Sequence, residues 1–247
     1  MNNEGKKEMC LFYVKVAEVI FKINANYVAT RDFFKDFLVG EYEECEQIII
    51  EVKEIIEFVK QFPGFDMEMG ERAIVKYKMD SLLVQYDTFP VHASALSYKE
   101  KAYLFTALSG VGKSTHAKSW RECFGENVIM INDDRPYIKI IDGKVYAYSH
   151  PQSGKHNIYT NTSSEIVSIS KIVRDDSNYI KPISKGLFFP FMVQQTYTMD
   201  EVNTTSKIIS MVKYVLDKVD LFEIHCNTDK YSAETIYHQI EKYRQTR

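Results

Sequence analysis

The sequence offers little for a disulfide scaffold, a metal cage or a membrane span. Its four cysteines, Cys10, Cys45, Cys123 and Cys226, stand far apart and lack the paired spacing of a zinc or iron–sulfur site. They read as free thiols of a reducing compartment. No apolar run approaches the roughly 18 residues of a spanning helix. The opening MNNEGKKEM has two lysines but no long apolar segment behind it. A cytoplasmic protein with no membrane partner is expected. The net charge of −3 creates no general pull toward nucleic acid. Internal repeats and low-complexity tracts are missing as well. Hydrophobic residues at 45% and charged residues at 26% instead describe a folded chain. Its 247 residues suit one large domain, or a core domain with a smaller one.

What is present is concentrated in ALSGVGKST, Ala107 to Thr115. A strand-like run, Ala102 to Phe105, leads into it, and a helical stretch, His116 to Phe124, follows. Small residues at Ser109, Gly110 and Gly112 allow successive backbone N–H groups to surround an anion. With Val111 and Thr115 they form a phosphate-binding loop. Lys113 adds a charge that reaches the outer phosphates, and Ser114 offers a hydroxyl to Mg²⁺. The pattern Gly-x-x-x-x-Gly-Lys-Ser/Thr is met except at its first position, Ala107, where a compact turn suffices. A nucleoside triphosphate, ATP, is the expected ligand, with Mg²⁺ as cofactor.

Upstream, residues 10–24 are rich in aromatic and β-branched residues and read as one or two strands. Residues 31–38 read as a short helix closed by Gly40, and 47–52 as a strand. The stretch from there to Gly64 fits helix or strand equally. From Met67 to Tyr86 a helix is predicted, with Ile74, Tyr77, Met79, Leu82, Leu83 and Tyr86 near helical spacing. This part carries no evident chemistry, and Glu41 to Glu44 reads as solvated surface. Residues 1–87 are therefore taken as an α+β region that could recognise an acceptor, and 88–247 as the ATP-binding domain.

Within the latter, Val91 to Leu96 is read as a strand forming a hairpin with the loop strand, through a turn at Tyr98–Lys101. The helix after the loop ends at Gly125. Asn127 to Asn132 is a strand running into Asp133-Asp134. Asp142-Gly143 is a two-residue hairpin turn between strands 136–141 and 144–148. A polar loop, His150 to Asn157, follows, then a strand at 165–173 and a short helix near 184–193 with its phenylalanines packed. Residues 205–219 are amphipathic, with Ile208, Met211, Val212, Val215 and Val219 on one face. LFEIHC is the last strand, and Ser232 caps a terminal helix whose inner face is Ala233, Ile236, Tyr237 and Ile240. These apolar helices suit core packing or a homo-oligomer contact.

Asp133 follows Lys113 by twenty residues. An apolar strand ending in carboxylates, coupled to a phosphate loop, is the second half of a nucleotide site. One carboxylate can take the proton of an attacking hydroxyl while its neighbour holds the metal. Asp133 is read as the base and Asp134 as the metal-side group, with the reverse assignment open. His92 precedes Lys113 by 21 residues and comes near the γ-phosphate if its strand pairs with the loop strand. A strand histidine is otherwise a satisfied core residue. Lys155 is either a second cation for the phosphates or an exposed loop lysine. Arg135 can touch phosphate or pair with the aspartates, and His116 and Trp120 read as packing.

The set His92-Ala-Ser-Ala, Ser109 to Ser114 and Asp133-Asp134 resembles the catalytic domain of HPr kinase/phosphorylase. The loop spelling also resembles that of ATP-dependent phosphoenolpyruvate carboxykinase, which shares that fold. The resemblance spans about residues 88–160 by motif and reaches about 245 by element order. It implies an α/β fold, a mixed β-sheet P-loop kinase core, with His92 and the paired aspartates in the active site and Asp133 as base. The family's Glu–Arg loop is missing, and the Gly154-Lys155 loop stands in that region. Residues 1–87 do not resemble the family's N-terminal domain. The chain looks more like the compact HPr-kinase-like proteins, some of which phosphorylate a serine of a precursor peptide. The expected activity is an ATP-dependent serine kinase acting on a peptide or small protein. A small-metabolite kinase and a slowly turning nucleotide-dependent regulatory module are the alternatives.

Overall fold

The computed structural model describes residues 7–246 apart from 109, 155–156, 197–201 and 230, and only the backbone of 7, 8, 202 and 203. The chain divides into two compact units, Met1–Tyr86 and Asp87–Arg247. Among the described residues, no helix is long and apolar enough to cross a membrane.

The first unit runs β1 (Lys7–Val16), β2 (Val19–Tyr27), α1 (Val28–Phe33), β3 (Leu38–Val39), β4 (Glu46–Ile49), α2 (Val52–Gln61) and α3 (Met67–Leu83). Its sheet order is β3-β1-β2-β4. The aromatic stretch predicted as one or two strands is the β1–β2 hairpin, turned at Ala17 and Glu18 with φ of 47° and 66°. The helix expected over 31–38 starts earlier and ends at Phe33, followed by a 3-10 turn at Lys35–Phe37. Leu38 and Val39 pair instead with Val14 and Tyr13 of β1, so the chain is already extended before Gly40, which caps nothing. The ambiguous stretch is α2, started by a reciprocal capping box between Glu51 and Glu54. Asp66 Oδ1 caps α3 by accepting from the Met69 N–H at 2.7 Å. Ile74, Met79 and Leu83 are buried as the spacing predicts, whereas Tyr77 and Tyr86 are exposed.

Glu71, which drew no attention in the sequence, is fully buried on α3. Its carboxylate accepts from the Asn26 N–H (2.6 Å), Asn26 Nδ2 (2.9 Å), the Tyr27 N–H (3.1 Å) and Thr30 Oγ1 (2.6 Å). A buried carboxylate is tolerated only with such a shell of donors. The shell ties α3 to the end of β2 and the start of α1.

The second unit runs β5 (Thr88–Pro90), β6 (Ser94–Tyr98), β7 (Lys101–Thr106), α4 (Lys113–Phe124), β8 (Val128–Asn132), β9 (Tyr137–Ile141), β10 (Lys144–Tyr148), β11 (Ser163–Arg174), β12 (Tyr179–Pro182), α5 (Lys185–Gln195), α6 (Val202–Lys218), β13 (Asp220–Cys226) and α7 (Ser232–Gln245). Among the described residues these strands form a nine-stranded mixed sheet with the path β5-β9-β10-β11-β7-β6-β8. The long β11 lies at its centre. Its first residues pair antiparallel with β10, and its later ones parallel with β7 and with β13, which carries β12.

Both predicted hairpins form. Lys99 and Glu100 (φ 51° and 61°) turn β6 into β7, and Asp142 and Gly143 (φ 49° and 80°) turn β9 into β10. Helices α4 and α7 pack with the sheet over an aromatic core of Tyr98, Tyr103, Phe105, Trp120, Phe124 and Tyr237. Trp120 donates Nε1–H to His116 Nε2 at 3.1 Å, so both are packing residues. Full burial pushes the His116 pKa down to about 4 and leaves the ring neutral. The predicted inner face of α7 is buried, but Tyr231 holds the N-cap position and Ser232 is the first helical residue. On α6, Ile208, Met211, Val212 and Val215 are buried, while Val219 lies beyond the helix end. Of the α5 aromatics Phe188 is buried and Phe189 and Phe191 are half-buried.

Candidate functional site

The loop after β7 needs glycine at two positions. Gly110 (φ 77°) and Gly112 (φ 128°) take backbone conformations that side chains disfavour. Ala107 has no such φ, and its methyl is buried in the aromatic core, which accounts for alanine at the first motif position. Helix α4 begins at Lys113 itself, three residues before the expected start. Ser114 and Thr115 are exposed in its first turn. The Val111 N–H donates to the Leu108 carbonyl at 3.2 Å and closes a turn. Ser109 lies outside the described residues, as does Lys155 in the later loop.

Arg174, at the end of β11, holds the loop from its carbonyl side. Nε donates to the Val111 oxygen at 2.8 Å and Nη2 to the Gly110 oxygen at 2.7 Å. The planar trans peptide then directs the Gly112 N–H away from Arg174. No local pattern marks this arginine. It reaches the loop because β11 runs parallel beside β7.

His92 is not on a strand. β5 pairs with β9 whereas β6 pairs with β7 and β8, so the chain must bend at 92–93 to change partners. The bend is fixed from both ends. The His92 N–H donates to the Gln195 oxygen at 2.8 Å, and Thr106 Oγ1 donates to the His92 oxygen at 3.0 Å. The ring meets the loop helix: His92 Nε2 lies 2.9 Å from Lys113 Nζ and 3.5 Å from Asp134 Oδ1. His92 Nε2 thus stands between the Lys113 amine and the Asp134 carboxylate, within reach of both.

The aspartate turn is built by Asn132, a second residue that the sequence reading passed over. Its Oδ1 accepts from the N–H groups of Asp134 (2.9 Å) and Arg135 (2.7 Å). Its Nδ2 donates to the carbonyls of His150 and Gln152, each at 3.0 Å. An asparagine before an acidic pair is a known turn-forming signal, so this much was readable. Gly154 is a close-approach glycine: a Cβ there would sit 3.0 Å from Asp134 Cβ. Gly154 therefore lies directly against Asp134.

The two carboxylates face different surroundings. Asp134 is held below its ordinary pKa first by the His92 ring, then by Lys113 and Arg135, against the opposing effect of burial. Lys113 is pushed down by burial, with Asp134 and Asp133 opposing. Asp133 is buried and its Oδ1 takes a hydrogen bond from Ser94 Oγ at 3.0 Å. It lines a cleft of about 400 Å³ together with Ser114 and Thr115. A larger cleft of about 960 Å³ is lined by Val111, Gly112, Arg174 and Asp175.

No protein-family profile matches the chain, and no curated protein matches it. Among solved structures it is similar to the HPr(Ser) kinase/phosphatase from Coxiella burnetii, with 11% sequence identity and a TM-score of 0.36. The superposition covers 64% of this chain and 97% of that one. The likeness is distant, and no residue role is taken from it.

Proposed function

We propose that the second unit is an ATP-dependent kinase that transfers the γ-phosphoryl group to a hydroxyl, a serine of a peptide or small protein. One observation carries this reading. Lys113 at the start of α4, His92 and Asp134 meet within hydrogen-bonding and ion-pair distance, beside a cleft that holds Ser114 and Asp133.

Lys113 has no carboxylate as its nearest partner. Its amine rests on the His92 imidazole and can move to an incoming phosphate, which also favours the charged form that burial disfavours. His92 then donates or accepts at the same oxygen cluster. Asp133, oriented by Ser94, has its second oxygen for the acceptor. That oxygen takes the hydroxyl proton as the acceptor oxygen bonds to the γ-phosphorus. The bond from phosphorus to the bridging oxygen breaks, and ADP leaves with the electron pair. Asp134, kept ionised by its cationic neighbours, suits a metal-side role better than that of a base.

Among the described residues there is no group of three or more His, Cys, Asp or Glu side chains fit to cage a metal alone. Mg²⁺ does not need one, since it keeps waters and phosphate oxygens and takes one or two hard protein oxygens. The Ser114 hydroxyl and the Asp134 carboxylate are such donors. When bound there, the ion would neutralise phosphate charge.

The test is ATP consumption with Mg²⁺ and cell extract divided into peptide and small-molecule fractions, with Lys113→Ala as the blank. Stimulation by the peptide fraction alone is expected. Stimulation by the small-molecule fraction would make this a metabolite kinase. Bound ATP with no stimulation by either would make it a nucleotide-dependent regulatory module.

A further inference from the structure

The cleft beside Asp133 has one wall with a pattern of its own. Ser114, Lys118 and Arg121 stand at i, i+4 and i+7 on α4 and all line it, facing Asp133 and Ile158. The stripe starts at Ser114, which shares the cleft with Asp133, and runs along the helix axis. Seven residues at ~1.5 Å rise put Arg121 roughly 10 Å from Ser114. Lys118 is exposed and ion-paired with Glu122 at 3.4 Å. Arg121 differs. Its Nε is buried without a hydrogen-bond partner, and its guanidinium makes no ion pair among the described residues. A guanidinium stays charged and carries five donors. The residue is half-buried and lines the cleft, and its Nη donors, engaged by no hydrogen bond or ion pair among the described residues, are left for an anion there.

We propose that Arg121, with Lys118 beside it, is an anion subsite for the acceptor, which takes a carboxylate of an acidic peptide. The inference rests on the kinase reading. An extended peptide rises ~3.3 Å per residue, so the roughly 10 Å between subsite and transfer point corresponds to about three residues. The preferred acceptor is a serine with an acidic residue about three positions away. Bidentate pairing of a carboxylate with arginine supplies both the affinity and the register.

The probe is a set of serine peptides with a single Glu placed at each of four positions on either side, matched by Gln peptides. Glycerol and glycerol phosphate serve as short acceptors. The wild-type protein should phosphorylate the best Glu peptide about tenfold more efficiently than its Gln partner, with the difference in KM. Arg121→Gln should erase that preference, and Arg121→Glu should transfer it to a Lys peptide. Thermal unfolding of both variants shows that they fold, and the Lys-peptide gain is a readout that a folding defect would not give. A Glu preference that survives Arg121→Gln would overturn the subsite, as would equal use of Glu and Gln peptides by the wild type. Faster labelling of glycerol phosphate than of any peptide would overturn the acidic peptide as its occupant. No labelling of any acceptor, together with ATP consumption no higher than in Lys113→Ala, would overturn the kinase reading itself.

Discussion

Asn132→Ala removes one side chain and the four hydrogen bonds it makes to backbone groups. The His150 and Gln152 carbonyls each lose the Asn132 amide as donor, and the Asp134 and Arg135 N–H groups lose its oxygen as acceptor. Asn132 and His150 are buried, whereas Asp134, Arg135 and Gln152 are half-buried, so water replaces part of what is lost. Each fully buried, unsatisfied group costs about 1–3 kcal/mol, and allowing for water the total is roughly 3 kcal/mol. For a unit of this size that lowers Tm by about 6–12 °C. The same change frees the turn that aims both aspartates, so phosphoryl transfer should fall much further than ATP affinity. Circular dichroism melting and a transfer assay read the two effects. A Tm within about 2 °C of wild type, or near-normal transfer, would show that Asn132 does not organise this turn.

Two further outcomes follow from the same structure. His116 is neutral when folded because burial lowers its pKa from 6.5 to about 4. Its contribution is therefore intact above pH 6.5 and is lost as pH falls toward 4, where the unfolded chain binds the proton and the folded one does not. At 1.4 kcal/mol per unit the loss approaches ~3 kcal/mol; urea unfolding from pH 7 to 4.5 should be steeper in wild type than in His116→Gln, and equal slopes would refute the assignment. Arg174→Ala removes two hydrogen bonds from an exposed side chain to the loop carbonyls. Stability should change by less than about 1 kcal/mol while ATP affinity weakens about fivefold, measured by calorimetry; unaltered affinity would mean that the loop holds its shape without this brace.

The parts legible in the sequence are those written locally. Hairpin turns at Lys99–Glu100 and Asp142–Gly143, the α7 inner face and the phosphate-loop glycines depend on residues within a few positions of one another. What the sequence hid depends on which strands become neighbours. The bend at His92 exists because β5 and β6 choose different partners, and a local strand pattern across Val91–Leu96 does not reveal that. Arg174 reaches the loop only through the β11–β7 pairing, and Glu71 reaches its donors only through the packing of α3 on β2. The short helix expected over 31–38 stops at Phe33, because Leu38 pairs with β1 instead of continuing it.

The central claim is that Asp133 takes the proton of a hydroxyl acceptor at a nucleotide site anchored by Lys113. Its most direct test is Asp133→Asn, a near-isosteric change that keeps an oxygen for the Ser94 hydrogen bond and removes the base. Calorimetry with ATP and Mg²⁺, alongside transfer of labelled γ-phosphoryl to serine peptides, separates binding from chemistry. The account predicts ATP affinity within about threefold of wild type and transfer reduced by 10²-fold or more. Transfer at near-normal rates in Asp133→Asn, with Asp134→Asn inactive, would contradict it and move the base to Asp134.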